Sequence, residues 1–183
     1  MSSGETDFVK QQVAAHWGRR APGFDAGFGH SIHTPAERAA TVRFEEADAE
    51  HLPFPPGSFD LAISRHLLWT LAHPEAAIDE WIRVLRPGGR LVVIDGQFDP
   101  GFLVEPTQNA RTSGEYAAIG DRLPFLGGRP RQEIEDLLRS RGLVGVGSDP
   151  VLDLVEAQAE RMVAEGRERQ TRQRYVAWGE VPG

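Results

Sequence analysis

The sequence predicts an α/β layered fold, and three observations carry that expectation. Apolar runs and amphipathic stretches alternate along residues 41–181. Two runs, FDLAIS (59–64) and RLVVIDG (90–96), are nearly continuous in apolar residues, as buried parallel strands are. Between them, residues 74–86 repeat Ala77, Ile78, Trp81, Ile82 and Leu85 at helical spacing, so one amphipathic helix joins the two runs.

The elements follow in order. Residues 6–20 read as a helix, with Thr6 as its cap, Asp7 in its first turn, and Phe8, Val9, Val13 and Trp17 at helical spacing. The glycine- and aromatic-rich 21–30 reads as a loop. Thr34-Pro35-Ala36-Glu37 has the form of a capping box and starts a second helix. Residues 42–47 read as a strand near a sheet edge, and 51–58, with three prolines and a glycine, as a loop. Pro87-Gly88-Gly89 stops the 74–86 helix and turns the chain into 90–96, the most apolar strand and the expected sheet centre. Residues 97–128 hold many turn formers and read as a flexible region or short helical turns. Residues 131–141 form a helix on Ile134, Leu137 and Leu138 that ends at Gly142, and 143–148 and 175–181 form the last strands around a charged helix.

A chain of 183 residues suits one domain, and its 40% apolar and 26% charged residues are ordinary for a globular protein. The net charge of -7 argues against general nucleic-acid binding, which needs a basic face. The absence of cysteine removes disulfides, thiolate nucleophiles and cysteine-ligated zinc. His30 and His33 lack an acid at ligand spacing, so no metal is expected. With neither a signal-like start nor an apolar run of membrane-crossing length, the expected location is the cytoplasm.

The run FEEADAEHLPFPPGSFDLAISRHLLWTLAHPEAAIDEWIRVLRPGGRLVVIDG (44–96) resembles the methyltransferase-11 type of class I S-adenosylmethionine (SAM)-dependent methyltransferases. An acidic region with L-P-F, then F-D, then a helix ending in L-R-P-G-G and an apolar strand occur in that family's order. The resemblance implies a Rossmann-like sheet with an antiparallel last strand, bound SAM and a small-molecule methyl acceptor. It implies that Asp48 accepts the adenine amino group, that the backbone of Ala49 flanks the ring, and that Arg65 and His66 line the methyl-donor pocket. These positions follow the strands at their carboxyl ends, where α/β sheets bind ligands. His66 is the one candidate for acid–base help, the other reading being a hydrogen-bonded structural histidine. Asp48 taken alone could equally be a turn or cap residue. Trp69 and Trp81 read as packing residues.

The family's first two strands are expected between the N-terminal segment and residue 41, yet Ala39-Ala40 runs directly into Thr41-Val42. No glycine-rich loop with strand–turn–helix context stands upstream of Asp48, so the sheet is expected to be incomplete. The missing glycines and second-strand acid would hold the cofactor's ribose and amino acid. Two lost charge-assisted contacts at about 1.5–3 kcal/mol each weaken binding by about 10²- to 10⁴-fold. The expected organisation is a helical lead-in at 1–40 and a shortened methyltransferase domain at 41–183, compact overall. The first functional reading is methyl transfer from SAM to a small molecule. The second is a catalytically silent methyltransferase-like binding module or defective copy. The edge left open beside 59–64 predicts pairing with another strand or a homodimer. An acceptor lining is expected from Phe98, Phe102, Arg111, Tyr116 and Phe125.

Overall fold

The apolar runs pair into one four-stranded sheet. In the computed structural model, residues 3–24, 45–98, 100, 116–166 and 173–183 are described. They fall into two compact units, Met1–Asp48 and Ala49–Gly183. The second unit holds β1 (Phe59–Arg65), β2 (Leu85–Gln97), β3 (Val144–Asp149) and β4 (Gln173–Glu180), in the order β1-β2-β4-β3. β1 and β2 are parallel, and β4 runs antiparallel to both β2 and β3. The helices are α1 (Ser3–Phe24) in the first unit and α2 (Pro74–Val84), α3 (Arg131–Ser140) and α4 (Leu152–Ala164) in the second.

Strand periodicity decides which residues enter the core. Leu91, Val93 and Asp95 of β2 and Tyr175 and Ala177 of β4 alternate onto one face and are buried. Ala77, Ile78 and Trp81 of α2 and Ile134 and Leu138 of α3 pack in the same core. α2 is thus the crossover of a parallel strand–helix–strand unit, with Pro74 at its start, where no N–H is needed. On the opposite face, Leu61 and Ile63 remain 48% and 61% exposed.

The helix at 74–86 is shorter than expected. It ends at Val84 because Leu85 is already in register with Phe59 of β1. Pro87-Gly88-Gly89 is an excursion within β2, not a turn before it: residues 86–89 lie between the pairs Phe59↔Leu85 and Leu61↔Arg90. Gly88 takes φ 73°, and a Cβ on Gly89 would stand 2.8 Å from the Arg86 carbonyl oxygen. Backbone bonds from Gly88 N to Val181 O and from Val181 N to Gly89 O, both 2.9 Å, fix the excursion to the C-terminal segment.

Other expectations need correcting. Thr6 does not cap α1, which begins at Ser3 and takes Thr6 into its first turns. The run 59–64 is parallel but not fully buried. Only Ser64 in β1 is buried, because among the described residues no strand covers its outer edge. Of the strand expected at 42–47, the described residues 45–47 are irregular, and the rest lies outside the described residues. The helix expected from Thr34 and the junction at Ala39–Val42 also lie outside them. β2 is an interior strand, as its composition predicts. In the described part of 97–128, the chain makes turns and a 3-10 helix at Gly120–Arg122.

Candidate functional site

The parallel strands β1 and β2 end side by side, and Ser64, Arg65, His66 and Asp95 lie at or next to their carboxyl ends, where open α/β sheets bind ligands. Arg65 closes β1 and is exposed. His66 follows, its N–H donating to Ile94 O at 2.9 Å, so it continues the ladder while its backbone turns left-handed at φ 52°. That conformation costs a non-glycine residue about 1–2 kcal/mol and needs tertiary support. The His66 ring is 28% exposed, with Nδ1 3.9 Å from Asp95 Oδ1, within ion-pair range but beyond hydrogen-bond length. Asp95 is buried, and its Oδ1 accepts the Gly96 N–H at 2.9 Å.

Two buried hydroxyls lie on the strands either side of β2. Tyr175 is the β4 partner of Asp95, and Ser64 lies two residues before His66. Neither hydroxyl has a hydrogen-bond partner among the described residues, although both are buried. Burial, followed by the carboxylates of Asp95 and Glu133, holds the Tyr175 phenol well above its usual value, so it stays protonated. Unsatisfied buried hydroxyls are uncommon in folded proteins. Here they mark a polar patch at the ligand end of the sheet.

A second construction holds the segment that leads into β1. Trp81 Nε1 donates to Ala49 O at 2.9 Å, Leu52 N to Glu80 Oε1 at 2.8 Å, and Arg83 to Phe54 O at 2.9 Å. Arg83 also forks onto both oxygens of Glu80 at 2.7 and 2.6 Å. The Arg83 hydrogen bond, aided by the Leu52 N–H against the cost of burial, holds the Glu80 carboxyl at about 2. Buried Glu50 accepts from His73 N at 2.9 Å and lies 3.0 Å from His73 Nδ1. The L-P-F segment is therefore tied to α2 by side-chain hydrogen bonds, which a loop with three prolines cannot make through its own backbone.

The expected site residues fall in different places. Arg65 and His66 are brought together at the end of β1, and Ala49 is held in the same unit by Trp81. Asp48 belongs to the N-terminal unit, where its half-exposed carboxylate accepts from Lys10 Nζ at 2.6 Å. Residues 49–98 contain no glycine-rich loop of the kind that cradles a cofactor's ribose and amino acid. Reading the sequence for sites missed Asp95, Ser64, Glu50 and Glu80. The signal for Asp95 was legible: an acid that ends the most apolar run, VVID.

The expected acceptor lining is corrected in part. Tyr116 is fully buried and packs on Trp69, with ring centroids 5.8 Å apart. Phe98 meets Trp69 edge-on at 5.2 Å, and Arg129 lies over the Phe125 ring at 4.9 Å. Trp69 and Trp81 are core residues, as expected. Phe102, Arg111, His30 and His33 lie outside the described residues. Among the described residues no group of His, Asp or Glu could hold a metal, and no helix is long and apolar enough to cross a membrane. A cleft of about 420 Å³ opens between the starts of α3, α4 and β4, and none of the expected site residues line it.

The chain resembles known proteins over the same region. Residues 24–93 match the methyltransferase domain family. A ubiquinone/menaquinone biosynthesis C-methyltransferase from Stutzerimonas stutzeri is 49% identical over 89 residues, which are 49% of this chain and 32% of that one. A demethylmenaquinone methyltransferase from Thermus thermophilus is 40% identical over 117 residues, 60% of this chain and 50% of that one. The chain therefore spans half or less of the length of these curated relatives. Among solved structures, a Haemonchus contortus phosphoethanolamine N-methyltransferase 2 in complex with S-adenosyl-L-methionine superposes with a TM-score of 0.50 at 13% identity, covering 74% of this chain and 36% of that one. A chain from the Haloferax volcanii complex of the Trm112 methyltransferase activator reaches 0.53 at 20% identity, covering 85% and 69%. These two likenesses concern the fold alone. The family match is confined to residues 24–93, and the mixed α/β sheet they lead into has the Rossmann-like fold of these two neighbours.

Proposed function

We propose that this chain takes part in methyl transfer from SAM to a small-molecule acceptor. The reading is supported chiefly by the parallel β1–α2–β2 unit, which stands within and beside the family-matched segment and carries its polar residues at the ligand end. Asp48 would accept the adenine amino group, the backbone of Ala49 would flank the ring, and Arg65 and His66 would face the methyl-donor pocket. When bound, SAM supplies the electrophilic methyl group. The protein's share is to orient the acceptor and exclude water, which proximity alone makes effective. His66, 3.9 Å from the buried Asp95 carboxylate, would take a proton from the acceptor. A demethylated quinone is the first acceptor to test, because the two curated relatives are named for that chemistry.

Calorimetric titration with S-adenosylhomocysteine, followed by thermal melting, tests the reading. A binding site raises the melting point by mass action. Asp48→Ala should abolish that rise, and an unchanged response would remove Asp48 from the site. No heat and no shift at millimolar ligand would refute methyl transfer by this chain and leave the silent binding module as its function. That second reading draws support from the absence of the glycine-rich loop.

A further inference from the structure

We infer that β1 pairs antiparallel with β1 of a second copy of this chain, about a two-fold axis at Ala62. The backbone sets the geometry. His66 N–H bonds to Ile94 O, so the polar groups of Ser64 and Ala62, in alternation with it, also face β2. Leu61, Ile63 and Arg65 consequently turn their N–H and C=O groups outward, along an edge that no described strand covers. Side chains of the same odd-numbered residues leave Leu61 48% and Ile63 61% exposed. An open edge with apolar side chains is a template for another strand.

A second copy fits this edge because the strand complements itself. In an antiparallel pair, outward-facing residues must meet outward-facing residues. An axis at Ala62 meets that condition and sets Leu61 against Ile63, Asp60 against Ser64 and Phe59 against Arg65. No two like charges meet, and every residue of β1 is paired. Moving the axis to Ile63 would leave Phe59 and Asp60 beyond the partner strand, and moving it to Leu61 would leave Ser64 and Arg65 beyond it. The interface is one strand edge, smaller than the roughly 1,200–2,000 Å² of a standard complex. A reversible dimer with dissociation in the micromolar range is the expected form.

Sedimentation of the full chain should give a mass that rises with concentration from the 20.2 kDa monomer towards the dimer. A constant monomer mass up to millimolar protein would overturn the inference. Ile63→Lys, at an exposed position, should weaken association about tenfold or more while leaving the circular dichroism unchanged. Val144→Lys, exposed on the opposite edge strand β3, should leave association intact; if it alone dissociates the dimer, the wrong edge has been chosen. The chain has no cysteine, so single cysteines report the register. Ala62→Cys faces itself across the axis at a non-hydrogen-bonded position, about 4.5 Å between Cα atoms, and should cross-link on oxidation. Cross-linking by Ile63→Cys in preference to Ala62→Cys would overturn the register.

Discussion

Replacing Glu80 by Gln tests whether the α2 clamp holds the L-P-F segment. The substitution keeps size and an acceptor for Leu52 N–H but removes the charge that Arg83 grips on both oxygens. A carboxyl held at about 2 in place of its ordinary 4.5 corresponds to roughly 3 kcal/mol at 1.36 kcal/mol per pH unit. Glu80 is 15% exposed and Arg83 35%, so solvent screening reduces the expected loss to about 1–2 kcal/mol. For a domain of this size the melting point should fall by about 2–8 °C at pH 7. The sign with pH is fixed by the depressed folded value. The stabilisation is complete above the ordinary 4.5 and disappears as pH falls towards 2. Urea unfolding of both proteins at pH 7, 4.5 and about 3.5 should therefore show a gap that narrows slightly by pH 4.5 and most in the last step. An equal gap at all three values, or none at pH 7, would refute the argument.

Three further substitutions probe strain and packing. Gly179→Ala places a Cβ 2.9 Å from Leu143 Cβ and 3.1 Å from Val146 Cγ2, so overpacking should cost about 1–3 kcal/mol in urea unfolding; a neutral variant would mean that β3 yields easily. Val151 is a β-branched residue at φ 43° ahead of α4, and Val151→Gly should raise stability by about 0.5–1 kcal/mol, whereas a loss would show that its packing outweighs its backbone strain. His66→Gly relieves the φ of 52° and should leave stability unchanged or up to about 1 kcal/mol higher. The same variant should reduce the melting-point rise caused by S-adenosylhomocysteine, and an undiminished rise would take the imidazole out of the pocket.

The sequence alone determined the elements whose patterns are local. The helix over Ala77, Ile78 and Trp81, the apolar interior strand ending in VVID, and the helix on Ile134 and Leu138 are all legible, because periodicity reports which face is buried. The family motifs in 44–96 were likewise readable as a string, and with them the parallel β1–β2 pair. Tertiary structure decided what depends on partners distant in the chain. Pro87-Gly88-Gly89 became an excursion inside β2 because Leu85 had already paired with Phe59, and pairing registers are not written in local composition. Glu50 and Glu80 look like ordinary surface acids in one dimension. Buried Glu50 accepts from His73, 23 positions away, Glu80 accepts the Leu52 N–H from 28 positions away as well as Arg83 in its own helix, and Asp95 is buried beside the facing strand β4. The exposure of β1 is decided in the same way, since FDLAIS carries the composition of a buried strand but only neighbouring strands can bury it.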